Sequence, residues 1–366
     1  MVHGLLILLF FLLLGASTIL IIFIVINKLL MASRSKELAK NIVSITEGID
    51  TFITRSDDDF RIALDKFYIN AVARGKAFIN AVDSYLLSSL ETPDLRHKDR
   101  FISIANRFNF PANSLAQIKS GNIRVIALGS RRAGLYNYQE AVDEMIIALE
   151  ILSSENQFEI LMGLARIGKA EDMQRAFEKI KDSILVNERA VIAILGAFPK
   201  GEEKRILFRN MIHCDTDYVS ALFLKSMDRG MAGEMMEDII SVFTIGSDEI
   251  RVSAIQAFAS LGEDAPEGIL IKALEDSDWE VRALAAKALG QIKTKESSAA
   301  LYKALFDQQW WIRQNVAHAL LGHPGFETLF VLAAESGDEY TKDSIISVLE
   351  NANNPALLRA IKRMVV

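Results

Sequence analysis

The sequence predicts an all-α protein with an N-terminal single transmembrane helix, juxtamembrane helices, and then an α-solenoid of about six to seven helix pairs. Three observations predict this class. The 366 residues include only 6 prolines and 20 glycines, too few for the frequent turns of a β-sandwich or barrel. One uncharged apolar stretch lies near the N-terminus, and the last third of the chain repeats itself at a fixed period.

Composition narrows the function classes before any motif is considered. The one cysteine, Cys214, excludes a disulfide framework and argues against a thiolate metal site. With 41 basic and 47 acidic residues, the net charge of −6 disfavours a nucleic-acid-binding protein, which needs net basic surface. We predict three parts: an anchor over 1–32, a helical connector over 33–112 and a repeat array over 113–366.

The transmembrane prediction rests on residues Leu5 to Ile26, which carry no charge. At about 1.5 Å per residue they reach roughly 33 Å, enough to cross a hydrocarbon core of about 30 Å. The alternative is a cleavable signal peptide with the small residues 15–17 as its cleavage region. No basic segment precedes the stretch, however, and the apolar run continues through Phe23, which favours an uncleaved anchor.

Charge asymmetry around this stretch predicts its orientation. Only His3 precedes it, whereas four basic residues and one acid follow: Lys28, Arg34, Lys36, Lys40 and Glu37. Under the positive-inside rule the N-terminus lies outside and the C-terminal bulk in the cytoplasm. We therefore expect a single-pass protein of the inner, or cytoplasmic, bacterial membrane with a cytoplasmic solenoid.

The connector reads as two or three amphipathic helices. Apolar residues recur at helical spacing in three stripes: Ile42, Ile45, Ile49 and Phe52; Phe60, Leu64, Phe67 and Ala71; Phe78, Val82 and Tyr85. The acidic run 57–59 after Ser56 predicts a helix start rather than a metal site, because consecutive side chains diverge around a helix. The stripes either pack on a partner's membrane-proximal helices or fold on one another, and the second is the simpler interpretation.

The repeat is clearest where three segments align on Arg251, Arg282 and Arg313, at spacings of 31 residues. Each unit has a first helix, such as 268–274, then an Asp-containing turn, then an Arg- and Ala-rich second helix that ends at Leu-Gly. Small residues at fixed positions allow neighbouring helices to approach closely. Degenerate copies lie upstream at 189–196, 164–168 and 124–129.

This pattern resembles the HEAT repeat, specifically its short bacterial form known as HEAT-like or phycobilin-lyase-like repeats. The resemblance covers roughly residues 115–366, is strongest over 245–325, and implies a solenoid of stacked helix pairs. It also implies a structural role for the repeated pairs, in which the aspartate caps the second helix and the arginine bonds turn groups: Asp248 with Arg251, Asp278 with Arg282, and Asp307 with Arg313. The alternative is a row of ligand-binding arginines.

Trp310 and Trp311 form the sharpest candidate binding feature. Adjacent tryptophans cannot share one helix face, so if Trp311 packs in the core like its counterpart Trp279, Trp310 is left as an aromatic anchor for a partner. In the alternative, both close the last core between repeats. This run and the tail around Tyr340 resemble membrane-anchored bacterial HEAT-repeat proteins associated with polysaccharide-type glycosyltransferases, so Trp310, Trp311 and Tyr340 are the predicted partner-binding residues.

The sequence offers no catalytic residue, metal site or cofactor motif to predict. His213 beside Cys214 would point away from it on a helix, and His318 and His323 straddle a helix end at a spacing unsuited to a shared metal. The segment 129–134 reads as a loop between helices with exposed arginines, which in principle attracts an anion.

The predicted function is a non-catalytic, membrane-anchored scaffold whose solenoid binds a protein. The resemblance implies that this partner is a membrane glycosyltransferase of exopolysaccharide synthesis. The alternative is a chromophore-lyase-like or chaperone-like protein acting on a client. DNA recognition is a third possibility, which the net charge of −9 over residues 120–366 opposes.

Overall fold

The computed structural model of the protein describes residues 28, 40–92, 96–180, 187–352 and 354–363. Within these ranges the chain is helical and contains no β-strand, which confirms the predicted all-α class. The predicted membrane span, Leu5 to Ile26, lies outside the described ranges. None of the helices inside them has both the length and the apolar character that crossing a bilayer requires.

The chain divides into two compact units, Met1–Ala148 and Leu149–Val366. The boundary that the sequence places at 112/113 stays a prediction. The helices of the first unit are α1 (residues 40–50), α2 (Asp57–Arg74), α3 (Lys76–Leu90), α4 (Lys98–Arg107), α5 (Phe110–Ile118), α6 (Ile123–Leu135) and α7 (Val142–Leu149), which ends one residue past the boundary. A short 3-10 turn, Gln139–Ala141, precedes α7.

One hydrophobic core runs through the first unit and contains most of the predicted stripes. Ser56 accepts a hydrogen bond from the Asp59 amide, and α2 begins at Asp57 as the acidic run predicts. The buried members of this core include Ile45, Ile49, Phe52, Phe60, Leu64, Ala71, Phe78 and Val82. Because residues of all three stripes share one core, the expectation that the connector helices fold on one another is confirmed.

A buried polar cluster ties the connector to α6. The hydroxyl of Tyr136 donates to Asp83 of α3, and Arg132 forms an ion pair with the same carboxylate. Burial raises the pKa of Tyr136, although the nearby Arg132 guanidinium acts in the opposite direction. Tyr136 also stacks on Phe110, so α6 shares the core of the connector helices.

The predicted loop at 129–134 is wrong, because these residues lie inside α6. Gly129 faces α5, where an added Cβ would stand 2.8 Å from the Ser114 carbonyl oxygen and 2.9 Å from the Gln117 Cβ. The glycine therefore permits close packing of α5 on α6. In the sequence, a glycine that allows helices to touch looks the same as one that ends a helix.

The second unit is a succession of short helices. They are α8 (Ser154–Ile167), α9 (Ala170–Lys179), α10 (Glu188–Ala197), α11 (Glu202–Ile212), α12 (Asp217–Lys225), α13 (Arg229–Glu234), α14 (Met236–Ile245), α15 (Asp248–Ala259), α16 (Glu267–Ala273), α17 (Trp279–Leu289), α18 (Lys295–Ala304), α19 (Trp310–Leu320), α20 (Phe326–Glu335), α21 (Glu339–Asn351) and α22 (Pro355–Arg363).

The regular part of this unit stacks helix pairs. The second helices of the pairs, α15, α17, α19 and α21, form a row in which each packs on the next, and we call them the inner helices. The first helices, α14, α16, α18 and α20, each pack on the inner helix that follows. Buried alanines of the row, such as Ala254 and Ala285, keep the spacing small. This stacking is the arrangement that the repeat predicts.

Candidate protein-interaction surface

Aromatic side chains stand at the N-terminal ends of three successive inner helices. Each helix follows an extended cap residue, and the buried stripe begins two positions inside it, at Val281 in α17 and Ile312 in α19. Residues of the first turn therefore fall beside the buried face. The aromatic residues there are Trp279 in α17, Trp310 and Trp311 in α19, and Tyr340 in α21.

These aromatic side chains are exposed to a degree unusual for their size. Trp279 is 48% exposed, Trp310 47%, Trp311 60% and Tyr340 70%. Phe306, in the turn between α18 and α19, is 37% exposed. Large exposed aromatics concentrated on one set of helix ends are typical of a protein-binding surface, where Trp and Tyr supply much of the affinity.

The expectation that Trp311 packs in a core while Trp310 stays exposed is wrong for Trp311. Neither lies in a core, and their rings touch edge to face with centroids 4.5 Å apart. The counterpart of Trp279 is Trp310, since both stand three residues before the repeat arginine, and Trp279 is itself exposed. The tryptophans also do not close the array, because α20 and α21 follow.

Ion pairs link one repeat to the next along the same edge, in what we call the Arg-Asp ladder. Arg251 Nε lies 2.9 Å from Asp276 Oδ2, and its Nη2 lies 2.8 Å from Oδ1. One repeat later, Arg282 Nε lies 2.9 Å from Asp307 Oδ2. Each arginine also donates to carbonyl groups of its own turn, at Gly246 for Arg251 and at Asp276 for Arg282.

The pairing differs in detail from the roles that the resemblance implies. Asp278 caps α17 by accepting the amides of Glu280 and Val281 at 2.8 and 3.1 Å. Asp248 instead forms an ion pair with Arg251, since Ser247 occupies the cap position of α15. The Asp307 carboxylate pairs with Arg282 of the preceding repeat and accepts the Gln309 amide. Arg313 therefore donates to the backbone carbonyl of Asp307 and not to its carboxylate.

Electrostatics favour the charged forms within the ladder. Hydrogen bonding to Asp276 raises the pKa of Arg251, against an opposing effect of burial. Burial alone would raise the pKa of Asp276, but hydrogen bonds from Arg251 and from the Asp278 amide together lower it. The pair is therefore ionised at neutral pH, and its side chains are 17% and 12% exposed.

A surface cavity of about 570 Å³ is lined by two of the exposed aromatics, Phe306 and Tyr340. The side chain of Tyr340 forms one side, and Arg313 lies with its guanidinium carbon 5.5 Å from that ring. Arg313 is only 6% exposed. The lining residues are Phe306, Asp307, Gln308, Arg313, Asp338 and Tyr340.

Histidine and cysteine side chains are dispersed. The Cys214 thiol donates to the Thr216 carbonyl, and His213 Nε2 lies 3.8 Å from Asp238 instead. His318 is exposed, whereas His323 is buried between the Leu289 carbonyl and the Ser298 hydroxyl. Across the described ranges, no three His, Cys, Asp or Glu residues stand close enough to hold a metal ion.

Residues 237–321 match the family model for HEAT repeats. The matched residues include Trp279, Trp310, Trp311 and both ion pairs of the ladder, whereas Tyr340 lies beyond them. No curated protein matches the sequence.

Among solved structures, the complex of CpcE and CpcF of phycocyanin lyase from Nostoc sp. PCC7120 is similar to this chain. The two are 15% identical, and the match covers 69% of this chain and 92% of that chain with a TM-score of 0.27. A likeness this distant has no bearing on function.

The carboxylates that complete the ladder are not among the pairs that the sequence predicts correctly. Asp276 is not a predicted residue, and the predicted pairing of Asp307 with Arg313 is wrong, because the Asp307 carboxylate pairs with Arg282. A signal was present, since Asp276 and Asp307 each stand six residues before a repeat arginine, Arg282 and Arg313. That spacing places the carboxylate in the turn, where the arginine of the preceding repeat reaches it.

Proposed function

We propose that the protein is a non-catalytic, membrane-anchored adaptor whose HEAT-repeat unit binds a partner protein. One observation carries the proposal: exposed aromatics occupy the first turns of α17, α19 and α21, and the one in α21, Tyr340, lines the cavity at Arg313. Burying such side chains on binding would remove a large apolar area from water, at about 25 cal/mol per Å². The finer expectation for the partner is a membrane glycosyltransferase of exopolysaccharide synthesis.

A membrane location is part of the proposal. It is supported by the uncharged stretch Leu5 to Ile26 and by the basic residues that follow, which favour a cytoplasmic C-terminal part. Protein that stays in the membrane pellet after carbonate washing, with a C-terminal reporter active only in the cytoplasm, would agree. Release into the supernatant, or a reporter active outside, would refute this part alone.

The test of the adaptor function is copurification from detergent extracts followed by mass spectrometry. We expect one stoichiometric protein partner that is retained by the native protein and lost from the double variant Trp310→Ala/Trp311→Ala. The matched control is Ile245→Ala, which removes another exposed apolar side chain, 82% exposed, at the end of α14. Circular dichroism shows whether each variant keeps its helical content.

The copurification has outcomes that contradict the adaptor function and outcomes that contradict only the finer expectation. Retention of the partner by the tryptophan variant, or no partner with the native protein, contradicts the adaptor function. A partner other than a glycosyltransferase leaves the adaptor function intact and refutes the finer expectation. Visible absorbance of a chromophore that copurifies with the protein would favour the lyase-like alternative instead.

A further inference from the structure

The Arg-Asp ladder is interrupted at its third step. Asp276 and Asp307 occupy the position six residues before a repeat arginine, and each pairs with the arginine of the preceding repeat. In the next repeat the aligned basic residue is Lys342, and the position six residues before it is Ser336. The carboxylate that Arg313 would receive by the pattern is therefore replaced by a hydroxyl.

The turn at Ser336 keeps the rest of the pattern. Asp276 accepts the Asp278 amide, and Asp307 the Gln309 amide, each at 2.8 Å. Ser336 Oγ accepts the Asp338 amide in the same way, at 3.4 Å. Because the backbone bond recurs without the charge, the replacement removes the counter-ion of Arg313 and leaves the turn in place.

Arg313 is consequently a buried cation without a carboxylate partner in the described part of the chain. Its Nη1 donates to the carbonyls of Asp307 and Gln308 at 2.8 and 3.0 Å, and its Nε reaches Ser344 Oγ at 3.4 Å. Nη2 makes no hydrogen bond within those ranges, whereas Nη2 of Arg251 and of Arg282 each meets a carboxylate. A guanidinium stays charged at any physiological pH, so burial without a counter-ion is costly.

The cavity beside Arg313 holds two carboxylates, and both are already engaged. Asp307 pairs with Arg282, and Asp338 caps α21 by accepting the Thr341 amide at 2.9 Å. The rim is aromatic, with Phe306 and Tyr340 lining the cavity. The cavity therefore combines one guanidinium that has no ion pair in the described ranges with two aromatic rings and two carboxylates that are hydrogen-bonded elsewhere.

We propose that this cavity receives the carboxylate of an acidic side chain from the partner protein, flanked by apolar residues that lie on Phe306 and Tyr340. The inference rests on the adaptor function and names the chemistry of the segment that is bound. The free Nη2 of Arg313 would donate a charge-assisted hydrogen bond to one carboxylate oxygen, and Nε could reach the second oxygen only by giving up its 3.4 Å contact with Ser344, which would complete the geometry of the ladder.

The experiment uses the full-length protein in detergent and two pools of amide-capped heptapeptides. One pool has Glu at its centre and the other Gln, with random apolar residues elsewhere, and retention on the immobilised protein is measured. The native protein should retain the Glu pool about tenfold better than the Gln pool. Equal retention of the two pools, or no retention of either, overturns the proposal.

Ser336→Asp restores the ladder carboxylate within the chain, and Ser336→Asn is its uncharged match. Ser336→Asp should raise the midpoint of thermal unfolding and reduce retention of the Glu pool to that of the Gln pool, whereas Ser336→Asn should leave the preference for Glu unchanged. If Ser336→Asp retains the Glu pool like the native protein, the proposal fails. A copurifying partner that survives Ser336→Asp but is lost with Trp310→Ala/Trp311→Ala would refute this inference and leave the adaptor function standing.

Discussion

The Arg282 guanidinium and the Asp307 carboxylate join two successive repeats through a hydrogen-bonded ion pair. Their side chains are 14% exposed each, and Nε lies 2.9 Å from Oδ2. Because the arginine also donates to its own turn at Asp276, one side chain fixes both the turn that starts its helix and the position of the next repeat. Arg251 and Asp276 repeat this relationship one period earlier.

Asp307→Asn should therefore destabilise the second unit by about 2 to 3 kcal/mol, because it leaves a largely buried guanidinium without its counter-ion. The asparagine oxygen can still accept the Gln309 amide, so the turn bond is kept and the loss reports on the ion pair. Urea unfolding followed by circular dichroism measures the change.

The control for this prediction is an exposed ion pair. Arg229 and Asp264 lie 2.7 Å apart, with side chains 64% and 74% exposed. Asp264→Asn should change the free energy of unfolding by less than about 1 kcal/mol, because water and salt screen an exposed pair. Equal losses from Asp307→Asn and Asp264→Asn would mean that burial does not strengthen the ladder.

The helices and their stacking were predictable because the signals for them are local. Ser56 and the acidic run after it indicate the start of α2, and the 31-residue spacing of the repeat arginines indicates the period of the inner helices. The packing role of Gly129 was not predictable, because it depends on how closely α5 approaches α6. The residues around Gly129 in the sequence do not determine the distance between the two helices.

The candidate site was only partly predictable for a similar reason. The sequence indicates Trp310, Trp311 and Tyr340 as unusual, but exposure depends on where the buried stripe begins relative to the cap residue. The partner of Asp307 depends on the neighbouring repeat, 25 residues away in sequence, and not on the nearer Arg313. A pattern read within one repeat cannot identify a contact made between two.

A second prediction concerns the close packing of the end of α17, at Gly290, on α19. A Cβ added at Gly290 would lie 3.0 Å from the Ala319 Cβ and 3.1 Å from its Cα, so the backbone of α19 would have to move. Gly290→Ala should destabilise the protein by about 1 to 3 kcal/mol. Gly268→Ala, in α16, meets nothing within 4 Å and should be neutral or stabilising by up to about 1 kcal/mol. If Gly290→Ala changes the free energy of unfolding no more than Gly268→Ala does, the contact with Ala319 does not constrain position 290.

Tryptophan fluorescence offers a third prediction, because the protein has three tryptophans and all are about half exposed. The native protein should emit at wavelengths typical of hydrated indole, and acrylamide should quench most of the emission. Trp279→Phe should leave the remaining signal just as accessible. Blue-shifted emission that resists acrylamide would contradict the exposure of Trp310 and Trp311 in the unbound protein.

His323 gives the array a pH dependence. Its ring is 2% exposed, with Nε2 lying 3.2 Å from the Leu289 carbonyl and Nδ1 2.8 Å from Ser298 Oγ. Because a carbonyl only accepts, the neutral ring carries its proton on Nε2. Burial lowers the pKa of His323 and the charge of Lys293 lowers it further, although the hydrogen bond to Leu289 acts in the opposite direction.

The sign of the effect follows from this lowered pKa. As the pH falls below about 6.5, the ordinary histidine pKa, the unfolded chain takes up a proton that the folded chain still refuses. The contribution of His323 to stability is therefore complete above that pH, declines by at most about 1.4 kcal/mol per pH unit as the pH falls towards the folded-state pKa, and levels off below it.

Urea unfolding of the native protein at pH 7.5, 6.5 and 5.5 measures this slope. His323→Gln should be less stable at pH 7.5 but should lose most of the slope, whereas His318→Gln, at an exposed position on α19, should keep the native slope. A slope that survives His323→Gln would assign the pH dependence to other groups.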